Sequence, residues 1–225
     1  MEKPDFKDAE RAQRSLLADA EKRTLIWFAR RMPGWVNSDH LTALGAAGML
    51  GAGISFWYAG GNHNGLLMVI GCLIVNWFGD SLDGTLARVR NRLRPRYGFY
   101  VDHVVDTFGA LFLFGGLGLS GYMSPAVAAA LLVAYYMLAI EVFLATYCIG
   151  TFHLSFAKWG PTELRILLCA GCLLAYFRGP LVHILGGTYL LFDVGGIIGA
   201  AGMLIIMIVS SVRHTAMLFH QERLS

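Results

Sequence analysis

Charge is scarce in this sequence. Asp, Glu, Lys and Arg together make up 15% of its 225 residues, against about 25% in a soluble globular protein. The shortfall excludes a water-coated surface over most of the molecule, and a hydrophobic content of 56% points to lipid in its place. Net charge is only +3, so nothing in the total points to a nucleic-acid partner. Cysteine is also sparse: Cys72, Cys148, Cys169 and Cys172 all lie inside apolar runs. The spacing of Cys169 and Cys172 is that of a redox or zinc pair. No second pair stands at zinc spacing, however, and Ala170-Gly171 between them is small-residue helix filler. The thiols are therefore read as packing groups. The N-terminal run MEKPDFKDAERAQRS carries both signs of charge and lacks the apolar core of a cleavable signal. Insertion is expected to begin with the first spanning helix.

What is present is apolar and glycine-rich. The 27 glycines suit close helix packing in a membrane. Six apolar stretches run over 41–60, 65–79, 99–121, 125–149, 163–177 and 189–212. A crossing helix needs about 20 residues, so the second and fifth are short. The second is expected to continue as a helix beyond the membrane, carrying polar residues into water. Upstream, residues 7–31 alternate charge with Leu16, Leu17, Leu25, Ile26, Trp27 and Phe28. That pattern predicts an amphipathic helix on the membrane surface, with Arg30-Arg31 among the headgroups and Pro33-Gly34 ending it. An ordinary soluble cap helix is the alternative. The expected fold class is all-α integral membrane. A cytoplasmic amphipathic segment over 1–36 precedes a membrane domain of six transmembrane helices over 37–225, with no internal repeat.

Basic residues set the orientation. Eight lie in the first 39 residues, five in 88–96, two in 151–165 and two in the tail, Arg213 and Arg223. Six spans put all seventeen on one side and leave only Arg178 on the other. Both termini are expected in the cytoplasm, with the protein integral to the inner or plasma membrane.

Acidic residues within membrane segments are costly and mark function. Four cluster here, Asp80 and Asp83 three apart, then Asp102 and Asp106 four apart. Each pair shares one helix face. The two faces lie at the cytoplasmic ends of consecutive helices joined by a short basic loop, so an antiparallel hairpin would gather all four. No Lys or Arg on those faces can pair with all of them. Divalent cations resolve the repulsion, and all-oxygen ligation favours Mg²⁺, Mn²⁺ or Ca²⁺ over zinc. His103 follows Asp102 directly and points about 100° away around the helix. Gly84 lies four residues after Asp80, and Ala87 four after Asp83. The acidic face thus continues in residues with almost no side chain, leaving room for a phosphate or a flat group near the backbone. Arg88 follows, with a fork of donors suited to phosphate. Such a face describes a site for a metal-bound phosphoanhydride; the alternative is a structural packing and ion-pair face.

The run Asp80-x-x-Asp83-Gly84-x-x-Ala87-Arg88, then nine residues, then Gly98-x-x-x-Asp102-x-x-x-Asp106 resembles the signature of the CDP-alcohol phosphotransferases at every fixed position. The resemblance implies six transmembrane helices, a cytoplasm-facing site for two Mg²⁺ or Mn²⁺ ions, and a homodimer. It implies Asp80, Asp83, Asp102 and Asp106 as ligands, with Asp106 also the catalytic base. It further implies donor contacts from Gly84, Ala87, Arg88 and Gly98. The family's Pro-Asn-x-x-Thr run at the start of the first span is matched by Thr42, with Asp39 standing where the amide would be. Asp39 can contact the donor or cap the helix.

The expected reaction is transfer of a phosphatidyl group from CDP-diacylglycerol to a small hydroxyl acceptor such as inositol phosphate, glycerol phosphate or serine, releasing CMP. A CDP-headgroup donor with diacylglycerol as acceptor is the nearest alternative; small size favours the first. A divalent-cation transporter is the rival class, but its acidic groups would continue across the bilayer, and here the outer side offers only Asp193. The run from Lys158 to Arg165 opens the fifth span. Lys158, Glu163 and Arg165 could bind the acceptor headgroup, with help from His153 and Ser155, or simply start the helix. Glu141 either hydrogen-bonds internally or lines the cavity. Gly195-x-x-x-Gly199, with Ala200 and Gly202, reads as a close-packing face. His40, His63, His183, His214 and His220 are scattered and have no expected role.

Overall fold

The structure is a computed structural model, and it describes residues 18–149, 161–184 and 186–222. Within these residues the chain forms α1 (Ala18–Arg31), α2 (Ser38–Ala59), α3 (Gly65–Val89), α4 (Pro95–Leu119), α5 (Pro125–Ile149), α6 (Pro161–Arg178), a hairpin of β1 (Leu181–Ile184) and β2 (Gly187–Leu190), and α7 (Leu191–Gln221). Five helices are long and apolar enough to cross a membrane: α2, α3, α4, α5 and α7. The protein is an integral membrane protein. The six expected spans become five by this measure, because α6 has only 18 residues and includes Glu163, Arg165 and Arg178.

Local chemistry explains the boundaries. Asn37 caps α2: its side chain accepts from the His40 N–H at 3.0 Å, and His40 Nδ1 accepts from the Asn37 N–H at 3.4 Å. The cap is thus Asn37, and Asp39 lies in the first turn. Proline opens α4, α5 and α6, where a missing N–H costs nothing. The 25 residues of α3 make a rod of about 37 Å, longer than the roughly 30 Å hydrocarbon core. The helix continues past its apolar run, through Asp83 to Arg88, as expected.

α2 is the hub of the packing, in contact with both α3 and α4, while α3 and α4 make at most marginal contact with each other. The short loop 90–94 joins the two acidic helices, and α2 packs against both of them. Glycine makes this possible. A Cβ on Gly48 would lie 2.7 Å from the Asn76 nitrogen, and one on Gly53 would overlap the Phe112 carbonyl. On the other side of α4, α5 packs, and α7 lies against α5. One apolar core joins these elements, with Phe56, Leu66, Val69, Leu73, Leu117 and Cys172 almost fully buried. Phe56 meets Phe192 edge to face at 5.8 Å. All four thiols are free, Cys169 and Cys172 included.

Three further differences have physical causes. Residues 7–17 of the expected surface helix, with Leu16 and Leu17, lie outside the described residues. α1 packs on α3 instead of spreading its whole apolar stripe into lipid. Leu25 and Ala29 are buried with Val36, Leu41, Leu82 and Leu86, so the last turns of α3 have an apolar cover. Trp27 and Trp35 remain exposed, free for the headgroup layer. In α7 the buried small residues are Gly196 and Ala200, not Gly195 and Gly202, next to which a Cβ would find open space. Val127 and Met123 fill the notch at Gly196. Finally, the loop before α7 folds as an antiparallel hairpin with Leu181 opposite Leu190. Gly179 and Gly186 take positive φ there, as tight reversals require.

Gly53→Ala should lower stability by about 1–3 kcal/mol, the usual cost of overpacking, read as a lower thermal midpoint in detergent. Gly115→Ala, with nothing within 4 Å of its Cβ, should leave the midpoint level or raise it. Equal losses in the two variants would remove close approach as the explanation.

Candidate active site

The acidic residues stand on two helices that flank α2. On α3, Asn76, Asp80, Gly84 and Arg88 recur every four residues, with Asp83 and Ala87 beside them; α4 contributes Gly98, Asp102 and Asp106. Asp83 is the most enclosed, 6% exposed. Its Oδ2 accepts from the Thr42 hydroxyl at 2.6 Å, and its Oδ1 faces the Gly84 N–H. Ser38 Oγ donates to its backbone carbonyl at 2.9 Å. The start of α2 is thereby tied to the centre of the acidic face.

Asp80 meets a cation. Arg165 Nη2, from α6, lies 2.6 Å from Asp80 Oδ2, and Arg165 Nε donates to Asn76 Oδ1 at 2.8 Å. Asn76 Nδ2 in turn donates to the Gly45 carbonyl of α2 at 3.0 Å. Neither α3 nor α4 supplies a cation to all four acids, but a third helix supplies one to Asp80. The four carboxylates act on one another: Asp106 feels Asp80, Asp102 and Asp83 as like charges and Arg165 as an opposite one. Asp83 feels Asp102 and Asp80. Asp106 itself is solvent-accessible.

The donor set of four carboxylates is all oxygen, which fits hard divalent cations. The side chains are posed against protein donors: among the described residues no three His, Cys, Asp or Glu groups already close on one point. Beside the acids the wall is open. A Cβ on Gly98 would touch nothing within 4 Å, and one on Gly84 would meet only Arg88 Nη2 at 3.9 Å. Arg88 thus folds back over the glycine. Ala87 is half-buried.

The other expected site residues are spread about this centre. Asp39 pairs with Arg94, both exposed, so its carboxylate holds the α3–α4 loop. Glu163 is half-buried in the first turn of α6. Lys158, with His153 and Ser155, lies outside the described residues. His103 packs its ring against Phe99 at 4.2 Å and Phe143 at 4.8 Å. Glu141 is tied to His214 of α7 at 2.7 Å, a partner not expected for it. Asn76 and Ser38 were not among the expected site residues. Asn76 had a visible signal, a lone amide one turn before Asp80 in an apolar run. Ser38 had none, since its role is a contact across 45 residues of sequence.

The model of the CDP-alcohol phosphatidyltransferase family matches residues 35–209. The chain belongs to that family, whose members are phosphotransferases of phospholipid synthesis. Its fold is similar to the crystal structure of Mycobacterium tuberculosis phosphatidylinositol phosphate synthase with CDP-DAG bound. The TM-score is 0.61 and identity 16%, over 90% of this chain and 99% of that one. At that identity the likeness is one of fold. No curated protein matches the sequence.

Asn76→Ala should destabilise the protein by about 1–3 kcal/mol, because it removes the buried bond to the Gly45 carbonyl and leaves Arg165 Nε without its Asn76 acceptor. The loss should appear in thermal unfolding without any substrate. An unchanged midpoint would mean that the Asn76 contacts contribute nothing.

Proposed function

We propose that this protein transfers a phosphatidyl group from CDP-diacylglycerol to a small water-soluble alcohol and releases CMP. One observation carries the reading. The family's complete motif lines two helices held apart by α2, with Gly84 and Gly98 open beside the acids. A fold shared with a synthase whose structure has CDP-DAG bound supports the choice of donor. A cation transporter is disfavoured, because Asp193, the acid near the opposite end, accepts from the Ser124 N–H at 2.7 Å and serves structure.

In this reading Asp80, Asp83, Asp102 and Asp106 hold two Mg²⁺ or Mn²⁺ ions, which would polarise the β-phosphate and offset charge on the leaving CMP. The guanidinium of Arg88 and the bare backbone at Gly84, Ala87 and Gly98 hold the CDP diphosphate. Thr42 keeps Asp83 oriented through its hydroxyl, and Asp39 borders the same mouth. Asp106 takes the proton of the acceptor hydroxyl as that oxygen attacks phosphorus. Direct displacement suffices, since no Ser, Cys or His stands at a spacing that marks a covalent nucleophile. Lys158, Glu163 and Arg165 would bind the acceptor headgroup. Arg165, engaged with Asp80, also balances charge within the acidic set.

The membrane arrangement belongs to the same proposal. Segment 1–36 would be a cytoplasmic amphipathic segment and 37–225 the six-helix catalytic domain. α6 crosses as a sixth span. Its middle is apolar, with Ile166, Leu167, Leu173 and Leu174 exposed as on a lipid-facing surface, and six crossings keep seventeen of eighteen basic residues cytoplasmic. A homodimer is included on the family resemblance.

Purified enzyme given CDP-diacylglycerol and a panel of inositol phosphate, glycerol phosphate and serine should release CMP with one acceptor and form its phosphatidyl product, weighed by mass spectrometry. EDTA should abolish release and Mg²⁺ or Mn²⁺ restore it; full activity in a rigorously chelated sample would refute the site. Asp106→Asn should cut turnover by about 10² or more, the scale of general-base catalysis, with donor affinity by calorimetry much less affected. Asp80→Asn should weaken donor binding. Equal loss of donor affinity in both would make Asp106 chiefly a ligand.

Single cysteines at 62 and 122 in a cysteine-free background should react with an impermeant reagent outside intact cells. Labelling at 92 from outside would overturn the orientation.

A further inference from the structure

Glu21 lies outside the motif, yet one of its carboxylate oxygens accepts three hydrogen bonds. Trp77 Nε1 donates at 2.8 Å, Thr162 Oγ1 at 2.9 Å and Ser81 Oγ at 3.3 Å. The donors come from two helices. Trp77 and Ser81 are one turn apart on α3, and Thr162 is the second residue of α6. A charged oxygen suits this convergence, because charge-assisted hydrogen bonds are about twice as strong as neutral ones.

The far end of α1 is fixed as well. Arg90, which caps the end of α3, donates to the carbonyls of Met32, Pro33 and Val36. With Leu25 and Ala29 buried between these two attachments, α1 has no freedom to slide along α3. Glu21 therefore offers Thr162 a fixed anchor.

That anchor adjoins the acidic set. Ser81 follows Asp80 in the chain. Arg165 comes three residues after Thr162, on the same side of α6, and holds both Asp80 and Asn76. Two rungs thus join α6 to α3, one through Glu21 and one through Arg165.

We propose that Glu21 is a positioning residue for phosphatidyl transfer: it fastens the start of α6 to α3 so that Arg165 meets the Asp80 carboxylate in register. The kinetic part of this inference rests on the function proposed above. A helix that merely covered α3 would change stability alone. A positioning role also changes the rate in folded protein, because misplacement of about 1 Å can cost up to about 10²-fold.

The test uses the full chain in lipid nanodiscs. Spin labels replace Leu164 on α6 and Ile74 on α3, both exposed, in a cysteine-free background. The interlabel distance distribution should be narrow in the parent, broad in Glu21→Ala and narrow again in Glu21→Gln, whose amide oxygen still accepts. In parallel, Glu21→Ala should lower kcat/KM for CMP release from CDP-diacylglycerol on the order of 10-fold, while Glu21→Gln stays near the parent. Added to Arg165→Met, Glu21→Ala should cost little more, as expected for residues acting through one another. An unchanged distance distribution in Glu21→Ala, or a lower thermal midpoint with unchanged kcat/KM, would overturn the proposal. If the parent releases no CMP with any acceptor, the functional reading fails. The spin labels then still decide whether Glu21 fastens α6.

Discussion

The close approach of α2 to its neighbours governs the structure. Where Gly48 meets the Asn76 backbone and Gly53 meets the Phe112 carbonyl, there is no room for even one methyl group. With little hydrophobic drive between helices in lipid, such backbone contact is what holds a bundle together. It also spaces the acidic helices. α3 and α4 each rest on α2, so their carboxylates face one another across an interval set by a third helix. Had α3 and α4 packed directly, their side chains would fill the space the proposed substrate needs.

The polar contacts follow this geometry. Thr42 and Ser38 reach Asp83 from the start of α2, and Asn76 reaches back to the Gly45 carbonyl. Each bond ties the hub helix to the acidic face within a few turns of the same end. Arg165 brings in α6, and Glu21 brings in α1. The apolar core around Phe56, Leu117 and Phe192 lies further along the helices. The larger apolar core holds one length of the bundle, while a smaller core of Leu25, Leu41, Leu82 and Leu86 together with these hydrogen bonds holds the other. Catalytic groups can keep fixed positions only in the second region, where donors and acceptors exist to orient them.

Much of this was legible in the sequence. Hydropathy located α5 over about 125–149, in line with the described Pro125–Ile149, because a long apolar run leaves little choice. The extension of α3 past its apolar run was legible too, since Asp83, Gly84 and Arg88 keep one face at helical spacing. Other features were not, and each depends on contacts distant in sequence. Glycine spacing in α2 signals close packing without naming the partner, so its place between α3 and α4 stayed hidden. Arg165 was visible as a cation near a helix start, but its bond to Asp80 spans 85 residues. The hairpin of β1 and β2 was obscured because four-residue strands barely alternate. Gly195 and Gly196 are neighbours, and only the lean of α7 on α5 decides which one is buried.

Two helices that meet at most marginally leave an opening between them, and an opening has a flank as well as a mouth. On the proposed membrane arrangement, the flank between α3 and α4 would run along the hydrocarbon layer while the mouth opens beside Gly84 and Gly98. A molecule that is oily at one end and ionic at the other could lie there without leaving either of its preferred solvents. On the proposed chemistry, the two products would then part by different doors. The nucleotide would diffuse into water through the mouth, and the new lipid would slip sideways into the leaflet from which its precursor came.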